Sequence, residues 1–338
     1  MMRWLLFLPV LAAAPCLGAE PWQALTKDNG LPANEVQFIK QDALGTVWIG
    51  TRGGLVQYEG SQVQPGGVTG EVWDVVRLSA DAYWVGTSSG AVLVRGTQQQ
   101  TFLEGTTVAP LVPLTRSLIL ALSKNLATEV STLVAFRGKD WEPVPLLAKQ
   151  RATDIERLSD GTVWVSVEGR GVYVLDPKTG LEKAAHHHAR QNVTTTFQDS
   201  KGRVWCGLWG RGLAVYENAA WSSHLADKEI YPFAIREDRD GTIWVATDQT
   251  GLWRYDGKRW TNDLKDEGAV NLLETMPDGR VWISTQATGG LRYWDGKTWQ
   301  VSLPGPLPIR CLTRTRDGKL LAGSVHDGLH VRTHHDTH

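Results

Sequence analysis

Tryptophan returns at a nearly fixed interval along this chain, at Trp48, Trp84, Trp164, Trp205, Trp244 and Trp282, with gaps of 36, 80, 41, 39 and 38 residues. Leu321 takes the same place 39 residues after Trp282, in DGKLLAGSVHDGLHVR. The setting repeats with the residue. In DGTIWVATDQTGLWRYDGKRW, residues 240–260, a glycine turn leads into a short apolar run, a polar loop ends in glycine, and a second apolar run closes on an aromatic. The gap of 80 is two periods, and a worn copy at residues 116–141 fills its middle, so the chain holds eight units.

A period near forty that contains several short runs rich in β-branched and aromatic residues points to a propeller, in which each repeat forms one four-stranded blade. In one unit, residues 233–237 form the inner strand, Asp240 and Gly241 the tight turn, residues 243–247 the second strand, residues 252–255 the third, and the run from Trp260 the outermost. No segment beyond the N-terminus sustains a helical period. The expected fold is all-β, a single β-propeller of eight four-stranded blades; seven is the alternative, with the worn third unit absorbed as an insertion.

Closure tests the count, because a propeller must join its last blade to its first or leave a sheet edge bare. The eighth unit stops at GLHVRTHHDTH without an outer strand, and PWQALTKDNGLPANEV near the N-terminus resembles TWQVSLPGPLPIRCL, so residues 22–26 read as an outer strand with no blade of its own. The two deficits match. The N-terminal strand is expected beside residues 329–333, completing the last blade.

A buried Trp removes ~150–250 Å² from water, worth roughly 4–6 kcal/mol gross, which is large beside a domain stability of about 5–15 kcal/mol. The recurrent tryptophans are therefore read as packing keys between blades, and Trp141, Trp221, Trp260 and Trp299, which open outer strands, as structural too. Trp209 differs. It stands in the loop GLWGRGL between second and third strands, where other units have GTRGGL, GTSSGA, VEGRGV and STQATGGL, and no inherited packing role requires an aromatic there.

The chain begins MMRWLLFLPVLAAAPCLGAE, one basic residue, an apolar run and then small residues. That is the pattern of a secretory signal peptide at residues 1–19, too short for a stable membrane span, with the propeller at residues 20–338. Pro15 before Cys16 is a poor fit to a lipidation signal. The expected location is periplasmic or secreted, as a soluble protein. Cys206 and Cys311 fall in the fifth and eighth units, too far round the ring for a bridge that needs Cα atoms within about 7 Å, and are expected as two buried free thiols. Lys and Arg number 35 against 36 Asp and Glu, a net charge of −1, which gives no electrostatic footprint for nucleic acid or an anionic membrane.

The stretch GLPANEVQFIKQDALGTVWIGTRGGLVQYEG, residues 30–60, resembles the repeat of the two-component regulator propeller family. So do DGTIWVATDQTGLWRYDG and DGRVWISTQATGGLRYWDG, with Ala246 or Ser284 in place of the family's second glycine. The resemblance covers the mature chain and is weakest over residues 97–149. It implies an exported recognition module, with a carbohydrate or other ligand, or a protein partner such as a membrane sensor, and the expectation is a stand-alone propeller without kinase or transmembrane segment.

An enzyme, such as a polysaccharide lyase or hydrolase, would need a general base with a partner group or metal nearby. The run AAHHHARQN offers His186, His187 and His188, read as a loop entering the fifth unit on the same face as the loops between second and third strands. Consecutive histidines cannot all face one ion, so a solvated loop is the simpler reading, and no nucleophile elbow, phosphate-binding loop or spaced metal motif is present. Asp240, Asp278 and Asp317 serve hairpin turns on the opposite face. No cofactor, metal or catalytic residue is assigned, and non-enzymatic binding is favoured. The candidate ligand site lies on the channel face, centred on Trp209, Arg211 and Arg170, with Glu168, Asp248, Arg52, His187 and His326 also brought to that face. An aromatic beside guanidinium groups suits a sugar ring or an acidic oligosaccharide.

Overall fold

The computed structural model describes residues 21–179, 181, 184–187 and 191–333. The expected leader at residues 1–19, and His188, His334, His335 and His338, lie outside them. Eight four-stranded antiparallel sheets follow one another along the chain. Each inner strand packs beside the next, and Val36–Gln41 of blade one lies against Ile309–Arg314 of blade eight, closing the ring around a central channel.

Blade six shows the plan, with strands Pro232–Glu237, Ile243–Thr247, Leu252–Tyr255 and Trp260–Asn262, within a residue of the sequence reading. The worn unit is a full blade of its own, Thr106–Pro113, Ile119–Asn125, Ser131–Phe136 and Trp141–Pro143, so the count is eight and not seven. Its second strand carries Leu120 at the tryptophan position, fully buried. The aromatic contact survives elsewhere in the blade, because Phe136 and Trp141 pack against Trp84 of blade two with ring centroids 4.9 and 5.2 Å away.

The last blade is completed from the other end of the chain. Gln23–Leu25 pairs antiparallel with the third strand of blade eight, Gln23 opposite Val331 and Leu25 opposite Leu329. Trp22 Nε1 donates to the Ser302 carbonyl of blade seven at 3.0 Å, and the Arg332 guanidinium lies 5.2 Å from its ring. Behind this clasp Val36, Ile49 and Tyr58 of blade one share a core with Leu321, Leu329 and Val331 of blade eight.

The second strand of each blade is the most enclosed, since it is covered on both sides by neighbouring blades. Trp48, Trp84, Trp205, Trp244 and Trp282 are 0% exposed and Trp164 is 4% exposed. Each tryptophan reaches the next blade: Trp205 meets Tyr255 and Trp260, Trp244 meets Trp294 and Trp299, and Trp164 meets Tyr216 and Trp221. The outer-strand tryptophans are thus the receiving half of the same lock. Two residues after the tryptophan the repeat needs a small side chain. A Cβ on Gly86 would lie 2.2 Å from the Val108 carbonyl of the following inner strand.

The cysteines are free, Cys206 buried in blade five and Cys311 half-buried in blade eight. The expectation of two buried thiols is corrected for Cys311, although its Sγ is tucked so close under Gly323 that a Cβ there would come within 2.5 Å. Burial pushes both thiols up to about 12. Among the described residues no helix is long and apolar enough to cross a membrane.

Candidate functional site

One backbone hydrogen bond organises the channel mouth. The first residue after the second strand donates its N–H to the carbonyl of the residue that precedes the inner strand: Arg52 to Glu35 at 3.0 Å, Glu168 to Arg151 at 2.9 Å, Trp209 to Asn192 at 2.9 Å, Asp248 to Tyr231 at 3.1 Å. Four of the sequence-derived candidates therefore occupy equivalent places on different blades. Glu168, Trp209 and Asp248 sit on consecutive blades four, five and six. Arg52 in blade one and His326 in blade eight lie across an eight-membered ring from them. Arg52 is held by Glu35 at 3.2 Å, and the backbone N–H of exposed His326 donates to Ser324 Oγ at 3.3 Å.

Trp209 is 58% exposed, an unusual state for an indole. It is nevertheless fixed. Its ring stands edge-on to Tyr231, centroids 4.8 Å apart and planes at 71°, and Gly210, at φ +66°, carries the turn across the tyrosine ring. The Tyr231 hydroxyl donates to Glu229 at 2.8 Å.

Beside the indole is a recess of about 460 Å³ lined by Thr153, Glu168, Asn192, Val193, Thr194 and Trp209. Its polar groups are ordered by the scaffold. Asn192 Oδ1 accepts the Gly169 N–H at 2.6 Å, which ties blade four's loop to the segment that also anchors Trp209 and leaves the amide nitrogen to donate. Thr153 Oγ1 donates to the Val193 carbonyl at 3.2 Å, and Thr194 Oγ1 lies between the Pro232 and Gly207 carbonyls as a donor, closer to Pro232, so both hydroxyls keep lone pairs. Glu168 is paired with Arg151 at 3.2 Å, both half-exposed. On the inner strand that supplies Thr153, burial raises the Asp154 carboxyl. It also pushes Glu156 up to about 7, reinforced by the negative charge of Asp154 and opposed by Arg236.

Of the two arginines expected beside Trp209, Arg211 is placed in a different recess. Arg211 and Arg170 stand at equivalent points of their turns, each with its N–H bonded three residues back, to Leu208 at 3.1 Å and Val167 at 3.0 Å. At that point the chain has already reversed toward the third strand. Arg211 lines a separate recess with Gln191, Leu208, Ser223 and Ala226. Arg170 is exposed. The histidine run also moves. Ala184–His187 is the outermost strand of blade four, with His186 opposite Tyr173 and His187 opposite Val172, not a loop at the channel. The third strand Gly171–Leu175 would otherwise show a bare edge, and those residues are the ones within reach to cover it. Among the described residues no group of three or more His, Cys, Asp or Glu converges to hold a metal ion.

Asn192, Tyr231 and Phe233 were not singled out from the sequence, though the signal was there. The residue preceding the inner strand is Glu35, Glu71, Arg151, Asn192, Tyr231, Ala269 and Pro308 in blades one, two and four to eight, and Tyr231 is its only aromatic. Phe233, two residues on, is 40% exposed.

Fold and site together define an eight-bladed β-propeller with a polar, aromatic-flanked recess at one mouth of its channel. Residues 30–53 and 224–249 match the model of the two component regulator propeller family. Its fold is similar to the extracellular domain of a putative hybrid two component system from B. thetaiotaomicron, with TM-score 0.59 and 18% identity, covering 92% of this chain and 41% of that one. A second such domain from the same organism gives TM-score 0.58 and 15% identity, covering 94% of this chain and 40% of that one. This chain therefore spans about two fifths of their length. It is also similar to a streptogramin B lyase structure, TM-score 0.55 and 10% identity, covering 92% of this chain and 96% of that one. At these identities the likeness is one of fold. No curated protein matches the chain.

Proposed function

We propose that this propeller is an exported, non-enzymatic recognition module that binds a carbohydrate on the channel face beside Trp209 and serves in sensing, through a partner such as a membrane sensor. The observation that carries the reading is an indole held rigid yet more than half exposed, next to a recess whose walls offer hydroxyl, amide and carboxylate groups. Sugars present an apolar C–H face and a rim of hydroxyls, which such a pairing of ring and polar groups can meet at once. With Glu168 in the wall and Arg211 turned into another recess, a neutral sugar fits better than an acidic oligosaccharide. The lyase or hydrolase alternative drew on the histidine run, and His186 and His187 lie on an outermost strand. The test is titration calorimetry with neutral and acidic oligosaccharides. A neutral ligand should bind, and Trp209→Ala should abolish binding while leaving Tm within a few degrees. Undiminished affinity in Trp209→Ala would remove the site.

A further inference from the structure

Because the chain repeats eight times, each residue can be judged against its equivalents. Four residues before the second-strand tryptophan position, the hairpin turn carries Asp160, Lys201, Asp240, Asp278 and Asp317 in blades four to eight. Blades one, two and three carry Leu44, Ala80 and Arg116 instead. These three departures meet. All line one cavity of about 600 Å³ at the hairpin end of the channel, the opposite end from Trp209. Leu44 is 64% exposed, an apolar side chain left in water where other blades place a charge.

The charges around the cavity are unequal. Asp42 is consumed by Arg77 and by Trp48 Nε1, the latter at 2.8 Å. Lys40 is held by Asp74 and by the Val75 carbonyl, each at 3.0 Å. Arg116 is exposed on the rim and has no ion pair or hydrogen bond among the described residues. The wall beneath it is apolar, with Pro113, Val76 and Leu78 beside Leu44 and Ala80.

We propose that this cavity is a second binding site, for a small amphipathic carboxylate whose apolar body lies over Leu44, Ala80 and Pro113 and whose carboxylate is gripped by Arg116. The volume is that of a small-molecule pocket, ~300–1,000 Å³. A guanidinium receives a carboxylate through two parallel hydrogen bonds, whereas an ammonium ligand would be repelled by Arg116, the lining cation that Asp42 and Asp74 leave uncompensated. A wholly polar ligand would leave Leu44 and its neighbours without use. The absence of an acidic residue from these three turns fits the same reading, since acidic groups here would repel the ligand and deny it an apolar wall.

The experiment uses the full chain and octanoate as probe, with octylammonium and 1-octanol as charge-reversed and neutral comparisons, followed by calorimetry or ligand-observed NMR. Octanoate should bind at least about tenfold more tightly than either comparison. Arg116→Asp and Leu44→Asp, which install the residue other blades carry at exposed positions, should each weaken octanoate by about tenfold or more with Tm unchanged. Trp209→Ala should leave octanoate binding as it was, which separates this site from the carbohydrate site. Absence of octanoate binding, equal binding of octylammonium, or undiminished affinity in either aspartate variant overturns the assignment.

Discussion

Trp244 Nε1 donates to Asp238 Oδ2 at 2.8 Å, across the turn that joins the first two strands of blade six. The same bond joins Trp48 to Asp42 and Trp205 to Asp199, each at 2.8 Å. In blades two and seven Leu78 and Met276 replace the aspartate, and Nε1 of Trp84 and Trp282 is buried without a partner among the described residues. Burial of the indole is thus the constant part of the motif, and the hydrogen bond an addition to it. Trp244→Ala should cost about 3–5 kcal/mol by removing a filled space. Asp238→Ala should cost roughly 1–3 kcal/mol by stranding a buried donor. Denaturant unfolding of the two variants checks the order; a larger loss from Asp238→Ala would reverse the ranking.

The last blade is completed by three residues of strand and one indole. Removing residues 1–26 takes away the partner of Leu329–Val331 and the Trp22 bond to Ser302, and exposes an edge ready to pair with another chain. The truncated protein should unfold at a lower temperature and associate with rising concentration in light scattering. A monomer with unchanged Tm would mean that the clasp contributes nothing.

Glu156 supplies a pH dependence whose sign is fixed by its environment. Its folded pKa is pushed up to about 7, above the ordinary value of 4.5, so between those values the folded state binds more protons than the unfolded. This carboxyl therefore favours folding at low pH, and that contribution is lost as pH rises from about 4.5 through 7. Glu156→Gln should remove the slope, so that the variant gains stability relative to the parent between pH 5 and pH 8. Tm measured across that range decides it, and parallel curves for the two proteins would rule out the titration.

His224 works in the opposite direction. Trp260 Nε1 donates to its Nδ1 at 3.2 Å, which needs the neutral ring, and burial first, then Arg203, lowers its pKa. Stability from this contact should fade as pH drops below the ordinary histidine range, and His224→Gln should flatten the acid limb alone. The 2D NMR titration of the imidazole should show protonation below 6.5; a normal or raised midpoint contradicts the assignment.

Both cysteines should resist alkylation in the native state, because a thiol pushed to about 12 offers little thiolate at pH 8. Mass mapping should find Cys206 and Cys311 labelled only after unfolding. Rapid native labelling of Cys206 would contradict its burial.

The propeller, its eight blades and its clasp were legible in the order of residues because a repeat states its own packing several times over. Trp48, Trp205, Trp244 and their equivalents recur where each blade must meet the next, and even the worn unit kept its period. The mouth of the channel was harder. Trp209 stood out because no other unit has an aromatic there, but whether Arg211 faces the same recess depends on which way a three-residue turn directs successive side chains. The histidine run illustrates the same limit from another side: HHH reads as a polar loop until the bare edge of Gly171–Leu175 calls for a fourth strand. Periodicity and alternation, which act over a few residues, determine strands, register and the inter-blade core. Only the closed ring decides that Leu44, Ala80 and Arg116 meet in one cavity while Arg52 and Trp209 do not, because proximity across blades is set by where each unit falls around the circle.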